Sequence, residues 1–559
     1  MAARLTTAQG GKGAPIPWNR YPRPQMRRDS FLCLNGAWDL TVGQERFSIT
    51  VPFCPESTLS GVARHFPEGA ELCYQKHFRL PAGFQGGRIL LHIGGADQQA
   101  AVYVNGHLAG SHAGGYTPFC LDITEWIRQE NDLRIVCQDD LRDRSFPYGK
   151  QTLTPGGMWY TPVSGIWQTV WLERVPEVYI HSLRIQNRGA SVILDIGQDL
   201  PGSVTVPELG VFPLEKGRAV IRPENPRLWT PEDPYLYPCT VRAGEDRVES
   251  YFAIRWVEVK TVGRYPRLCL NGNPYFFHGL LDQGYWPDGL FTPADPQCYE
   301  EDIRAMKDLG YNTLRKHIKA EPEEFYYQCD RLGMIVWQDL VNNGPYRFFS
   351  ATALHTLGLQ TARDTRWNRD ALTRRRFREA GEALIRRVGN HPSVCGWTIF
   401  NEGWGQFDSE GQYQWLRSLD DTRFIDTASG WFRGGESDVD SRHVYFRKVR
   451  LRADGKKPLV LSEFGGKTCA VSGHVYDPDK RYGYGGCQSL EELNSKVAEL
   501  YREEILPLVP KGLCAAIYTQ LSDVEQEING VRTYDRKVCK LKKETMQPVA
   551  KALREAIRP

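Results

Sequence analysis

The 559-residue sequence predicts two β-sandwiches followed by a (β/α)₈ barrel. Three observations lead to this fold class. The chain is too long for one hydrophobic core. Short strand-like runs without helical periodicity extend to about residue 262, and strands alternate with helices beyond it. We therefore expect a jelly-roll-like sandwich over residues 1–176, an immunoglobulin-like sandwich over 177–262 and a barrel over 263–559.

The first half of the chain is predicted to be all-β. Runs such as RILLHIGG, AAVYVNGHLAG and IWQTVWLERV are apolar or alternating, and Gly, Pro, Asn and Asp separate them. A break near Pro176 leaves a first piece long enough for a jelly roll and a second that fits an immunoglobulin-like sandwich. Residues 1–24 lack the apolar core of an export signal, and we expect a flexible lead-in there.

The second half contains eight strand candidates, most of them followed by a helix. One helix begins after Asp295 and Pro296 and ends at Gly310, and a later one begins with Ser489 and Glu492 in capping-box spacing. Such alternation indicates a parallel sheet, and the number of strands suggests a closed barrel. A doubly wound open sheet is the alternative, but the sequence lacks the Gly-rich phosphate turn that usually accompanies it.

Composition argues against several classes of function. The 70 basic and 67 acidic side chains give a net charge of +3, which offers no general reason to bind nucleic acid or an acidic membrane surface. The Arg-rich segment 369–387 also carries Glu379 and Glu382, which favours a solvated helix face over a nucleic-acid site. No apolar run is long enough to cross a membrane. Fourteen dispersed cysteines without CxxC pairs predict reduced thiols, and we expect a cytoplasmic protein.

Two glutamates follow buried strands of the predicted barrel. Glu402 comes after CGWTIF, and Glu463 ends PLVLSE three strands later. Strand C-termini form the functional mouth of such a barrel, so both should point into it. Each alone would more often form a strand-end salt bridge, but the pair is what glycosidic cleavage requires: a proton donor and an attacking or stabilising carboxylate. Beside them, Asn401 could bond a sugar hydroxyl and Trp404 could stack on a sugar face.

Five segments resemble glycoside hydrolase family 2. NHPSVCGWTIFNEGWGQ and PLVLSEFGG are similar to its two catalytic segments, FLCLNGAWDL and SGIWQTVWLE to its N-terminal sandwich, and RLCLNGNPYFFHGLLDQGYWPDG to its entry into the barrel. The resemblance covers nearly the whole chain in the family's domain order. It implies a retaining β-glycosidase with Glu402 as general acid/base and Glu463 as nucleophile, their carboxyl groups about 5 Å apart.

Strand positions and the resemblance suggest further site residues. Tyr445 matches the family's tyrosine that hydrogen-bonds the nucleophile; a core aromatic is the alternative. Arg315 and His317 are two residues apart and face the same side of a strand, which could be the barrel mouth or a buried structural pair. The weaker candidates for sugar contact are Trp431, His443 and Asp282, with a loop cap as the alternative for Asp282.

A loop of the first sandwich could also contribute. Trp159, Tyr160 and Trp167 lie in GGMWYTPVSGIWQ, and a sandwich loop in this family can reach the barrel mouth. Any of these aromatics could line the sugar site, although packing between domains is the interpretation that we favour.

Departures from the family limit the choice of sugar. Its β-glucuronidases carry an Asn-x-Lys motif that recognises the sugar carboxylate, but no lysine stands two residues after Asn529, so another Arg or Lys would have to supply the charge. The large β-galactosidases have an Arg-His-Glu turn and a magnesium site where this chain reads GLLDQGYW and WQDLVNNGPY. We therefore predict no catalytic metal and no cofactor. In the late barrel strand, Tyr518 stands where the family usually has a Trp, so the platform for the sugar differs.

The sequence thus predicts an exo-acting retaining β-glycosidase that prefers a β-galactoside, with a glucuronide, mannoside or arabinoside as alternatives. A non-catalytic carbohydrate-binding protein is the rival from another class, and glycosyl transfer to a second sugar is a third possibility. The presence of both acids favours catalysis over binding alone. The predicted partner is a carbohydrate or glycoside, without nucleic acid or membrane, and the resemblance implies that the chain could form a homo-oligomer.

Overall fold

The computed structural model describes residues 5–346, 364–432 and 435–558. Its first part contains twelve short strands within the described residues. They are β1 (Leu32–Cys33), β2 (Gly36–Val42), β3 (Glu45–Val51), β4 (Glu71–Arg79), β5 (Arg88–Ile93), β6 (Ala96–Asp97), β7 (Gln99–Val104), β8 (His107–Ala113), β9 (Phe119–Asp122), β10 (Glu130–Gln138), β11 (Gly165–Ile166) and β12 (Val170–Val175).

These strands form a β-sandwich. One sheet has the order β3-β2-β4-β10-β7-β8 and the other has the order β1-β12-β5-β9, while β6 and β11 pair separately. In β10, burial alternates strictly along the strand, so one face packs inward and the other faces solvent. The predicted sandwich at the N-terminal end of the chain is therefore confirmed.

A second, smaller sandwich follows. Its sheets have the orders β13-β14-β17 and β16-β15-β18-β19, and they enclose a core of their own that includes Val192, Leu194, Val204 and Val241. Its strands are β13 (Arg184–Arg188), β14 (Ser191–Asp195), β15 (Gly202–Val206), β16 (Gly210–Pro213), β17 (Arg218–Ile221), β18 (Tyr237–Ala243) and β19 (Asp246–Phe252).

A three-stranded antiparallel sheet connects this sandwich to the barrel. It consists of β20 (Val257–Val262), β21 (Tyr265–Leu270) and β22 (Asn273–Pro274), in that order. The domain bound that we proposed after residue 262 falls in the turn between β20 and β21, which pair from Val257 with Leu270 to Val262 with Tyr265.

Eight parallel strands form the C-terminal barrel. They are β23 (Phe277–Asp282), β24 (Thr313–Lys316), β25 (Ile335–Asp339), β26 (Val394–Asn401), β27 (Phe424–Ser429), β28 (Asp440–Val444), β29 (Leu459–Phe464) and β30 (Leu513–Tyr518). Their order is β27-β26-β25-β24-β23-β30-β29-β28, and the two end strands contact each other, so the sheet nearly closes. The number of strands is the one that the sequence predicts.

Helices cover the outside of the barrel. Within the described residues the α-helices are α1 (Gln297–Asp308), α2 (Glu323–Leu332), α3 (Ala371–Val388), α4 (Ser409–Leu419), α5 (Leu490–Glu499) and α6 (Lys543–Ala556). Every residue of β26 and β29 is buried, because helices cover one face of each strand and the barrel interior covers the other. The predicted cap of α5 forms, since Ser489 Oγ accepts a bond from the Glu492 amide.

The prediction of a flexible lead-in over residues 1–24 is wrong for residues 5–24, which are the part that the structure describes. Parts of residues 5–24 pack against the barrel: Leu5 and Trp18 are buried, and the Trp18 indole donates to the carbonyl of Pro293. Thr7 bonds Asp288 through both its amide and its hydroxyl. The segment has no long apolar run, but long-range contacts of a few side chains hold it in place.

The first sandwich is docked on the mouth of the barrel through its 144–163 loop and the neighbouring Trp167. The Tyr148 amide donates to the carbonyl of Asn342 at 3.2 Å, and its hydroxyl donates to the carbonyl of Gly344 at 2.7 Å. Trp167 is fully buried, with its ring 5.1 Å from that of Phe291. The two domains therefore share one hydrophobic core at this point.

All fourteen cysteines are free thiols, as the sequence predicts. None of the helices within the described residues is long and apolar enough to span a membrane.

We expect Trp167→Ala to lower the free energy of unfolding by about 3–5 kcal/mol, because it empties a large buried site between sandwich and barrel. Leu108→Ala is the matched control, since Leu108 is 57% exposed and should change stability by at most about 0.5 kcal/mol. Denaturant unfolding of both variants measures the difference. Equal effects would contradict the docking role of Trp167.

Candidate active site

The C-terminal ends of the barrel strands bring polar side chains from six strands to one place. This arrangement follows from the parallel sheet, in which all strand ends of one kind lie at the same edge. The contributing residues are Arg315 of β24, Asp339 of β25, Asn401 of β26, Ser429 of β27, His443 of β28 and Glu463 of β29.

The two predicted glutamates face each other. A carboxylate oxygen of Glu402, one of Glu463 and Nδ1 of His443 all lie within 4.8 Å of one another. Glu402 directly follows β26 and has φ of 49°, a left-handed conformation that costs a non-glycine residue energy. Its amide bonds the carbonyl of Ser429 at 3.1 Å, which holds the turn in place. The backbone thus directs this carboxylate across the barrel mouth towards Glu463.

Glu463 is held as an ionised carboxylate. Burial opposes its charge, but its neighbours, His443 and Arg315 foremost, together outweigh burial, so the pKa of Glu463 lies below its ordinary value. Arg315 donates to Oε1 at 3.1 Å and the hydroxyl of Tyr445 donates to Oε2 at 2.6 Å. Both oxygens are therefore oriented, and the predicted bond from Tyr445 is present in the structure.

Arg315 is the fully buried centre of a polar network. Its Nε bonds Asp339 at 2.9 Å, and its Nη2 bonds Oδ1 of Asn401 at 3.0 Å and Oγ of Ser429 at 2.9 Å. Two carboxylates, Asp339 and Glu463, offset the cost of burying the guanidinium. Their charges raise the pKa of Arg315, so it stays positive despite burial.

His317 is a neutral member of the same network. Nδ1 lies 2.8 Å from Oδ2 of Asp339, and burial lowers the pKa of His317. Because the carboxylate can only accept, Nδ1 carries the proton and Nε2 is left as an acceptor. His317 lines the pocket in front of the glutamates. We expected Arg315 and His317 to lie either at the barrel mouth or in a buried structural pair. The two residues are buried and also lie in the network around the glutamates, so both descriptions apply.

His443 lies between the two glutamates. Its Nδ1 is 2.8 Å from Oε1 of Glu402 and 3.6 Å from Oε2 of Glu463, while Nε2 is 3.4 Å from Nη1 of Arg315. Arg315 can only donate, so Nε2 accepts and Nδ1 carries the proton that bonds Glu402. Of the weaker candidates, His443 is therefore the one with direct contacts to both acids.

An aromatic wall closes one side of the pocket. The Trp404 ring lies 4.7 Å from Trp159, 5.4 Å from Tyr346 and 5.5 Å from Tyr148, and its indole donates to the Tyr148 hydroxyl at 3.1 Å. Trp404 and Trp159 both line the pocket, so a loop of the first sandwich does reach the site. Trp167 instead packs between the domains.

Two weaker candidates do not line the pocket. Asp282 forms an ion pair with Lys316 at 2.6 Å, and its Oδ1 accepts from the amide of Gly284. Those contacts engage both of its oxygens and agree with the loop-cap alternative. Trp431 packs against His443 at 5.5 Å, and its indole N–H has no acceptor within the described residues. Neither residue lines the pocket in front of the glutamates.

The structure adds residues that the sequence reasoning missed. Asp339 ends β25 and could have been found by the strand-end rule that found Glu463. Of the other additions, Leu281 lies within β23, and the rest come from loops or from another domain, where no periodic pattern marks them. The further pocket-lining residues are Lys150, Met158, Leu281, Gln283, Tyr484, Thr519 and Glu527.

Glu402, His443 and Glu463 are also a set of three side chains that could ligate a cation. Each of them already has a partner, since His443 bonds Glu402 and Glu463 accepts from Arg315 and Tyr445. The three side chains thus bond to one another or to neighbouring donors.

Comparison with known proteins identifies the family. Models of three glycosyl hydrolase family 2 domains match in order: the sugar binding domain over residues 61–176, a further family 2 domain over 184–255 and the TIM barrel domain over 264–489. The chain belongs to glycosyl hydrolase family 2. The predicted family is confirmed.

Individual family 2 relatives carry different names. A β-galactosidase of Thermoanaerobacter pseudethanolicus is 27% identical over 445 residues, which cover 73% of this chain and 54% of that protein. A β-glucuronidase of Paenibacillus borealis is 27% identical over 474 residues, covering 73% of this chain and 76% of the relative. The chain thus spans about half the length of the first relative.

Solved family 2 structures share the fold. The β-D-glucuronidase of Dictyoglomus thermophilum superposes with a TM-score of 0.71 at 20% identity, covering 95% of this chain and 98% of that one. A β-galacturonidase of Eisenbergiella tayi, bound to galacturonate, gives 0.68 at 20% identity, covering 96% and 99%. These likenesses confirm the predicted order of two sandwiches and a barrel.

We expect Arg315→Met to lower the free energy of unfolding at pH 7 by about 3–5 kcal/mol, because it leaves Asp339 and Glu463 buried without their counter-charge. Burial then raises both carboxyl pKa values above their ordinary range, so the folded variant takes up protons and gains stability as pH falls from 7 to 5. Denaturant unfolding at the two pH values measures this.

The control is Arg304→Met, which removes an exposed ion pair with Glu300. It should cost at most about 1 kcal/mol at pH 7. If Arg315→Met were as mild, or equally destabilised at both pH values, the network around Arg315 would not be an ionic one.

Proposed function

We propose that the chain is a retaining β-glycosidase that hydrolyses a terminal β-linked sugar by double displacement. One observation carries the proposal: one carboxylate oxygen of Glu402 and one of Glu463 lie within 4.8 Å of each other at the barrel mouth. Retaining glycosidases place their two carboxyl groups about 5–5.5 Å apart, whereas inverting enzymes need about 6.5–9.5 Å to admit a water molecule. The observed separation favours the retaining class.

Glu463 acts as the nucleophile in this proposal. Its pKa lies below the ordinary range, so it is ionised at neutral pH and ready to attack. A Glu463 oxygen bonds the anomeric carbon as the glycosidic bond breaks, which yields a covalent glycosyl-enzyme and an alcohol. Tyr445 and Arg315 orient the two oxygens before the attack. They act as positioning groups for the nucleophile.

Glu402 acts as the general acid/base. In the first step it protonates the departing glycosidic oxygen. In the second it takes a proton from water, which attacks the anomeric carbon and releases Glu463, so the product keeps the β configuration. His443 bonds Oε1 of Glu402, which leaves Oε2 to carry the proton. Asn401 has its oxygen engaged by Arg315, so its amide N–H group is available for a sugar hydroxyl.

The identity of the terminal sugar that is removed is a separate question from the mechanism. The sequence favours a β-galactoside, because the expected lysine after Asn529 is missing. A relative named β-galactosidase and one named β-glucuronidase match at the same 27% identity, so similarity does not select between them. Exo action rests on the family resemblance. Rates of hydrolysis of a panel of neutral and acidic nitrophenyl glycosides identify the preferred sugar.

We expect Glu463→Gln to lower kcat on the preferred nitrophenyl glycoside by four orders of magnitude or more, as about 10⁶-fold losses accompany removal of a covalent nucleophile. Glu402→Gln should lose about 10²- to 10⁴-fold with a poor leaving group. The kcat of Glu402→Gln should fall less on nitrophenyl glycosides, because the nitrophenolate leaving group departs without protonation. Steady-state kinetics of both variants on nitrophenyl and alkyl glycosides give these numbers.

Glu544→Gln, on the exposed start of α6, is the matched control and should keep the wild-type kcat. If both active-site variants lost activity equally on every leaving group, the acid and nucleophile roles would be misassigned. A wild type inactive on the whole panel would instead favour a non-catalytic carbohydrate-binding protein.

A further inference from the structure

We propose that Lys150 and Gln283 bind a carboxylate carried by the terminal sugar, which makes the preferred substrate a β-linked uronic acid glycoside. The inference rests on the proposed glycosidase function and specifies its substrate class. Both residues line the pocket in front of Glu402 and Glu463, and both carry hydrogen-bond donors without an acceptor in the part of the chain that the structure describes.

Lys150 reaches the pocket from the first sandwich. Its backbone carbonyl accepts from the Tyr160 amide at 3.0 Å, and its ammonium lies 5.7 Å from the centre of the Tyr160 ring. Gly149 precedes it with φ of 61°, and a Cβ there would lie 2.8 Å from the Tyr116 hydroxyl and 3.1 Å from the carbonyl of Ile318. Only glycine therefore lets this loop approach the barrel closely enough to place Lys150 in the pocket.

The ammonium of Lys150 has no counter-ion within 4 Å among the described residues, although three glutamates line the same pocket. Glu463 is paired with Arg315 and Tyr445, and Glu402 with His443. The third, Glu527, accepts from the hydroxyl of Tyr160 and from Nδ2 of Asn529. Each carboxylate thus has its own donors.

Gln283 supplies the second donor. It follows β23, is 4% exposed, and its Nε2 has no acceptor within the described residues. A buried donor without an acceptor costs about 1–3 kcal/mol, which a ligand oxygen would recover. Gln283 and Lys150 also line one further small cavity together with His317, so the three side chains share one wall.

A carboxylate satisfies this wall better than a hydroxyl does. It only accepts hydrogen bonds, it offers two oxygens to two donors, and its charge matches the ammonium. A hydroxyl accepts through a single neutral oxygen and leaves the Lys150 charge without an opposite partner. The missing lysine after Asn529 made a uronide less favoured from the sequence, and Lys150 supplies that charge from another domain.

The test compares kcat/KM for nitrophenyl β-glucuronide and β-galacturonide with that for β-galactoside and β-glucoside. Wild type should prefer a uronide. Lys150→Met should lower the uronide-to-neutral ratio of kcat/KM about 10- to 100-fold, the loss expected for a hydrogen bond to a charged group. Gln283→Leu should lower the ratio in the same direction, and Lys150→Arg should restore much of it.

Inhibition by the free sugars provides a second readout that a merely structural role would not move. Lys150→Met should weaken inhibition by glucuronate or galacturonate more than inhibition by galactose. Lys456→Met, an exposed barrel lysine, is the matched control and should leave the ratio unchanged. Melting temperatures of all variants identify any that fail to fold.

The failures are distinguishable. If wild type cleaves neutral glycosides and no uronide, or if Lys150→Met lowers both classes equally, the carboxylate site is wrong while the glycosidase proposal stands. If wild type cleaves no glycoside of either class, the proposed function itself fails.

Discussion

The guanidinium of Arg315 joins the ends of the barrel strands that carry the candidate site. It bonds Asp339 on β25, Asn401 on β26, Ser429 on β27 and Glu463 on β29, with no exposure to solvent. A buried cation is tolerated only with opposite charges and filled donors. The same bonds that satisfy Arg315 therefore fix Glu463 and Asn401, the neighbour of Glu402, so stability and the geometry of the candidate site depend on one network.

The pocket is completed by two domains. The barrel supplies the carboxylates, while the 144–163 loop of the first sandwich adds Trp159 and Lys150 to the wall. Tyr160 links the two by donating its hydroxyl to Glu527. The barrel can thus keep one chemistry while sandwich loops alter what the pocket accepts, consistent with the separation of fold from function in such barrels.

The sequence predicted the fold and the acids because both follow local rules. Buried strands, helix caps and strand-end glutamates are visible in short segments, and Glu402 and Glu463 needed only the strand-end rule. Asp282 satisfied the same rule but lies in an ion pair with Lys316, because a strand-end position does not fix side-chain direction. Lys150 and Gln283 could not be inferred, since their meeting depends on how two domains dock.

The most direct test of the two-carboxylate mechanism is to trap the glycosyl-enzyme with a 2-deoxy-2-fluoro glycoside bearing a good leaving group. Loss of the 2-hydroxyl, whose hydrogen bonds strengthen in the transition state, slows both steps, while the leaving group lets the first proceed. Peptide mass spectrometry should find one sugar esterified to Glu463. A label on Glu402, or release of the leaving group without any covalent label, would contradict the account.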